Sequence, residues 1–223
     1  MQKFDTPTQV SAVVDIPAGR IQFIAADRTD TTVEILPADA TRSRDVQAAE
    51  QITVGHTDGV LRIEAQAAKS RILGSSGAVE VTVRLPAGSR VEAKAASADL
   101  GGVGRLGDVA FEGAQGTVKL DEATGVRLTL DSGDVSVGRL GGSGEISVKK
   151  GEIRIAEAAQ GTVTLRTEQG GISVGAARGT SATLDASTTL GRVINTLNNT
   201  DGPDAGLTIR ATTAHGDITA RSL

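Results

Sequence analysis

The first ninety residues alternate polar and apolar positions in short runs. Arg20-Ile21-Gln22-Phe23-Ile24, Thr32-Val33-Glu34-Ile35-Leu36, Val60-Leu61-Arg62-Ile63-Glu64 and Val79-Glu80-Val81-Thr82-Val83-Arg84-Leu85 each put every second side chain on one face. A period of two, bounded by Pro, Gly and Asp, predicts β-strands. Only Asp39–Glu50 reads as a possible helix, and its lone Val46 gives it no apolar stripe. Residues 66–77, with Lys69, Ser70, Gly74, Ser75, Ser76 and Gly77, read as a long exposed loop. One phrase occurs twice: Val14-Asp15-Ile16-Pro17-Ala18-Gly19-Arg20-Ile21 returns as Val83-Arg84-Leu85-Pro86-Ala87-Gly88-Ser89-Arg90-Val91. Each is expected to end a strand, turn on Pro-Ala-Gly and start another.

From about Ser89 the pattern becomes a repeat. Asp134-Val135-Ser136-Val137, Glu152-Ile153-Arg154-Ile155 and Gly171-Ile172-Ser173-Val174 are copies of one short strand. Leu128, Ile146 and Leu165 stand seven residues before Val135, Ile153 and Ile172, which marks a second strand at constant offset. Asp108-Val109-Ala110-Phe111 fits the same frame, and Asp217-Ile218-Thr219-Ala220 closes the series. A unit of roughly 18–20 residues with two short strands cannot bury its own apolar face and must stack on its neighbours. The expected fold is therefore all-β: a single-stranded β-solenoid of parallel β-helix-like repeats, with a strand-rich N-terminal cap. Residues 1–88 would form the cap and 89–223 the solenoid, as one continuous unit. An antiparallel sandwich tolerates the same alternation but does not require so regular a recurrence.

Composition narrows the interior. The 223 residues include 31 Ala, 28 Gly, 25 Thr and 21 Val, but only three aromatics, all Phe, and no Cys, Trp or Tyr. Disulfides and thiolate chemistry are excluded. Small β-branched residues suit a narrow core. Charge is near balance, 23 Lys and Arg against 27 Asp and Glu. Neither half forms a basic arm or acidic tail, which argues against nucleic acid.

The Pro-Ala-Gly corner followed by Gly-Asp-Val-x-Val strands, Gly133 to Val137 with Gly216-Asp217-Ile218-Thr219 as a variant, resembles the bacterial family of putative adhesins with β-strand repeats (domain of unknown function 4097), actinobacterial members above all. The likeness runs through most of the chain and is strongest from Val83 onward. It implies a β-solenoid-like fold and brings no catalytic residues.

Several motif matches lose to a structural reading. Gly102-Val103-Gly104-Arg105-Leu106-Gly107 has the letters of a dinucleotide fingerprint, but a strand follows where a helix N-terminus is needed. Gly141-Gly142-Ser143-Gly144-Glu145 and Asp131-Ser132-Gly133-Asp134 hint at calcium, without the tandem Asp that such turns share. Ser147-Val148-Lys149-Lys150 has Ser-x-x-Lys spacing, yet residues three apart on a strand face opposite sides. His56 and His215 are far apart and have no Cys or acid cluster to work with. Arg105, Arg139, Lys149, Lys150, Arg154, Arg166, Arg178 and Arg192 could align as one basic stripe, with Asp108, Asp134, Glu152 and Glu168 between them.

No catalytic, cofactor-binding or metal-ligating residue is assigned, and no cofactor is expected. The expectation is a non-enzymatic binding or scaffold protein that engages an unknown protein or glycan partner on a flat side of the solenoid. The alternative is a carbohydrate-active enzyme with carboxylates gathered in a groove. The N-terminus, Met1-Gln2-Lys3-Phe4-Asp5-Thr6-Pro7, carries no secretory apolar run, and no stretch of about 18 apolar residues occurs. This predicts a cytoplasmic chain with no membrane insertion, at the surface only if a targeting segment was removed. At the rear, the chain would end on the Asp217–Ala220 strand. The polar insertion from Asn195 to Gly206 would fold over that end, leaving a monomer or weak dimer.

Overall fold

A computed structural model describes residues 1–65 and 77–223, so the loop expected over 66–77 lies outside the described residues except for Gly77. The first part of the chain forms β1 (Gln2–Asp5), β2 (Ser11–Ala26), β3 (Asp30–Pro37), α1 (Ser43–Glu50), β4 (Ile52–Thr57), β5 (Val60–Ala65) and β6 (Val79–Pro86). Then come β7 (Arg90–Gln115), β8 (Val118–Ser132), β9 (Val135–Leu140), β10 (Gly144–Lys150), β11 (Ile153–Ala158), β12 (Gly161–Gln169) and β13 (Ile172–Ala176). The last two coils are β14 (Ala182–Leu190) with β15 (Val193–Thr196), and β16 (Leu207–His215) with β17 (Ile218–Ser222).

Each coil gives one strand segment to each of two parallel faces. Face A contains the C-terminal half of β8, then β10, β12 and β16, while face B contains β9, β11, β13 and β17. The sevenfold offset is the step from one face to the other within a coil. In register, Leu128 stands beside Ile146 and Leu165 on face A. Val135, Ile153, Ile172 and Ile218 line up on face B. All are at most 2% exposed, as the repeat predicts. Burying one such side chain stabilises by roughly 1.5–3 kcal/mol, and each coil repeats the contribution.

The corners between faces depend on glycine. Gly133, Gly151 and Gly170 have φ of 138°, 151° and 148°. A Cβ on Gly151 would lie 2.0 Å from the Gly133 carbonyl oxygen, and one on Gly170 would lie 1.9 Å from that of Gly151. Coils 4.8 Å apart leave no room for a methyl group at this point. The first Pro-Ala-Gly phrase lies inside β2, which bends at Gly19 without ending. The second separates β6 from β7 as expected.

At the rear, the expectation that the chain ends on the last coil is overturned. β16 pairs with β12 on one side and β14 on the other, and β17 lies between β13 and β15. The C-terminal coil is therefore inserted, and β14–β15, earlier in sequence, forms the end of the stack. Side-chain chemistry explains the exchange. Val174, Ala220 and Asn195 share one inner column. An Asn enclosed between two coils would leave polar groups unsatisfied at a cost of a few kcal/mol. On the outermost coil its Oδ1 accepts a 3.0 Å hydrogen bond from the Leu197 N–H.

The 195–206 insertion guards less than expected. The Asn198 carbonyl accepts from the Ala182 N–H at 3.0 Å, and Ser181 Oγ accepts from the N–H groups of Thr200 and Asp201. This covers the first rung of the β14 edge. Strand alternation turns the backbone groups of Leu184 and Ala186 the same way as the Ala182 N–H, away from β16. Pro203 sits in a short 3₁₀ turn, Gly202–Asp204.

The front is built differently. β3 runs antiparallel to β1 and β6, and β4 is antiparallel to β5 across Asp58-Gly59, both at positive φ. That pair is the signature of a two-residue hairpin turn. Helix α1 buries Asp45, whose Oδ1 accepts the Ala78 N–H at 3.0 Å.

Candidate functional site

Strand alternation presents a grid of side chains on the outside of face A. One row reads Arg127, Glu145, Thr164, Arg210 and Asp185 across β8, β10, β12, β16 and β14. The next reads Thr129, Ser147, Arg166, Thr212 and Ser187. The first row and Arg166, Thr212 and Ser187 of the second, with Ser143 and Thr162 at the preceding corner, line a groove of about 560 Å³. Val126 and Gly144 are its only apolar lining, and it holds three arginines against two carboxylates.

The pairing of these charges sets the groove apart. Elsewhere on face A, ions on adjacent coils meet: Arg90 with Asp108 at 2.8 Å, Lys94 with Glu112 at 3.8 Å, and Lys149 with Asp131 at 2.6 Å. The Asp131 hydrogen bond raises the Lys149 pKa above its ordinary value. Among the described residues, Arg127, Arg166 and Arg210 make no ion pair and no side-chain hydrogen bond. Arg127 stands beside Glu145, and Arg210 beside Asp185, without their charged groups closing to 4.0 Å. Arg166 has only Ser147 and Thr212 on its flanks. Three exposed guanidinium groups with open donors can hold carboxylate or phosphate oxygens.

The proposed single basic stripe is not formed. Lys149 and Arg166 lie on face A, whereas Arg154 and Arg139 lie on face B, the latter 2.9 Å from Glu157. Arg192 meets Asp217 at the rear corner, and Arg105 lies where the β7 register shifts. Lys150 ends β10, and Arg178 lies between β13 and β14. Two faces and a period of two scatter residues that look aligned in sequence. Arg127 and Arg210 were missed. Arg127 was legible, 18 residues before Glu145, but the place of Arg210 next to Thr164 depends on the exchanged coil.

The other motifs take structural roles. Gly102–Gly107 lies inside β7. Asp131 is engaged by Lys149, and Asp134 Oδ1 accepts the Glu152 N–H at 2.8 Å. Among the described residues no cluster of His, Asp and Glu could hold a metal ion. His56 packs on Phe4 with ring centroids 5.6 Å apart, and exposed His215 ends β16. Phe23 and Phe111 are buried, so no aromatic ring lines the groove. Among the described residues, no helix is long and apolar enough to cross a membrane.

Comparison with known families matches residues 104–221, the repeating part that carries the groove, to the Toastrack family, DUF4097. The chain belongs to that family. Toastrack domains have a β-solenoid-like fold, in agreement with the two stacked faces. The fold is similar to that of a putative adhesin from Bacteroides fragilis, with a TM-score of 0.57, 14% identity, and coverage of 98% of this chain and 95% of that one. A putative cell adhesion protein from Clostridium sporogenes, also 14% identical, aligns over 100% of this chain and 98% of its own with a TM-score of 0.41. No curated protein matches.

Proposed function

We propose that this Toastrack domain is a non-enzymatic binding module whose recognition surface is the outer side of face A. The observation that carries this reading is the groove with three arginines that no carboxylate engages, on a face where Arg90, Lys94 and Lys149 each meet a carboxylate of the adjacent coil. The structurally similar Bacteroides fragilis protein is named a putative adhesin, which supports binding over catalysis.

The enzyme alternative places its carboxylates poorly. Glu145 and Asp185 are three rungs apart, about 14 Å at the usual strand spacing, with Thr164 and Arg210 between them. Glycosidases need about 5–9.5 Å. The test is a glycan and peptide array probed with the protein, with a Thr164→Trp variant that fills the groove and with a Ser173→Trp variant on face B. Binding should vanish for Thr164→Trp alone. Release of reducing ends from any bound polysaccharide would overturn the non-enzymatic reading.

A further inference from the structure

The groove chemistry also narrows the ligand, given that face A is the recognition surface. We propose that it takes an acidic saccharide chain, whose carboxylates are held by Arg127, Arg166 and Arg210. Arg127 and Arg210 are three rungs apart, about 14 Å. Arg166 stands one rung from Arg210 and two residues further along, about 8 Å away. A duplex strand carries a phosphate about every 3.4 Å of helix axis, so three cations spread over about 14 Å, with two carboxylates in the same row, would leave most of its charge unmet. Glu145 and Asp185 in the same row would repel such a chain, but they accept hydrogen bonds from sugar hydroxyls. A polymer with carboxylates at wide intervals and hydroxyls between them matches both parts of the row.

An acidic peptide fits less well. Extended peptides gain affinity by adding a strand to a sheet edge or by filling apolar pockets. The groove spans β8, β10, β12, β16 and β14; the open edge of β14 points along the stack and away from the groove, and Val126 is the one apolar side chain in the lining. Guanidinium forks gripping carboxylates in two-point contacts supply recognition there without aromatic platforms.

The experiment is calorimetric titration of the whole chain with hyaluronate, in which only every second sugar carries a carboxylate, and with neutral dextran and poly-glutamate, at low and high salt. Hyaluronate should bind saturably and weaken with salt, and dextran should not bind. Arg166→Ala should weaken binding about tenfold, as loss of a charged hydrogen bond does. Arg154→Ala, on face B, should leave it unchanged. Both arginines are exposed, and equal melting temperatures verify intact folding. Absence of hyaluronate binding, equal dextran binding, or poly-glutamate binding as tight at matched charge overturns the ligand class. If Arg166→Ala still weakens whichever ligand binds, the recognition surface stands and only its ligand changes. Weakening by Arg154→Ala in place of Arg166→Ala overturns both.

Discussion

The two ends of the stack close by different means. At the front, β3, β1 and the β4–β5 hairpin turn antiparallel, so the stack closes on short strands, one pair of which is joined by a tight turn. At the rear, parallel pairing continues to the final coil, where Leu190, Val193 and Ile194 are 62%, 43% and 44% exposed. Val193 occupies the same column as Ile153, Ile172 and Ile218. Position in the stack, and not local pattern, decides whether a β-branched residue becomes core.

Substitutions along that column test this directly. Ile153→Asp should abolish folding, because an unpaired carboxylate between two coils is desolvated on all sides. Ile153→Ala should cost roughly 2–5 kcal/mol, the range for truncating a buried aliphatic side chain. Val193→Asp, in the same column at the exposed end, should cost no more than about 1 kcal/mol. Urea denaturation measures all three. If Val193→Asp unfolds the protein, the rear coil is integral to the core and the contrast between ends collapses.

Much of this was legible in sequence, and the exceptions have physical causes. The sevenfold offset identified Leu128, Ile146 and Leu165 against Val135, Ile153 and Ile172, because one strand pair recurs in each coil. The helix over Ser43–Glu50 followed from the single segment without alternation. Order within the stack was not legible. Gly191-Arg192-Val193 and Gly216-Asp217-Ile218 both turn the corner, with Gly191 at φ 155° and Gly216 at φ 153°. Only the tertiary cost of enclosing Asn195 settles which coil is last. The groove was half hidden for the same reason, since the exchange decides that Arg210, and not Asp185, stands beside Thr164 in the row of Arg127 and Glu145.

Acid should sharpen the comparison from both ends, with a smaller effect. At the front, Asp30 is held down to about 2 by hydrogen bonds from Arg28 and then Lys3, which tie β1 to β3. At the rear, Asp217 is lowered first by the Arg192 N–H and then by its side chain. Carboxylates depressed in the fold stabilise it above their unfolded pKa, near 3.8, and that contribution is lost as pH falls through the folded value. Amide exchange in β1, taken relative to the intrinsic rate at each pH, should therefore accelerate between about pH 4 and pH 2, and Asp30→Asn should remove most of that dependence. Near the β15 corner the acceleration should depend on Asp217 in the same way. Uniform acceleration across β9–β13 over this range would mean that the ends are not acid-sensitive in their own right.

The smallest effect, and the one most specific to the rear, is association. Open parallel edges invite pairing unless they are covered, charged or interrupted. β14 has one partner among the described residues, carries Asp185 as its single charge, and contains no proline. Asn198 covers only the rung at Ala182. Deleting Asn198 to Asp204 leaves Leu197, Ala205 and Gly206 to join β15 to β16, and uncovers that rung. Light scattering should then show stronger concentration-dependent association than in the full chain. Leu190→Lys with Ile194→Lys should suppress it by placing charge on two of the three exposed apolar positions at that end. Both lysines project into solvent, so the melting temperature should shift by no more than a few degrees. A deletion variant as monomeric as the full chain would show that the rear edge is protected by its own geometry, and that Asn198 contributes only a local hydrogen bond.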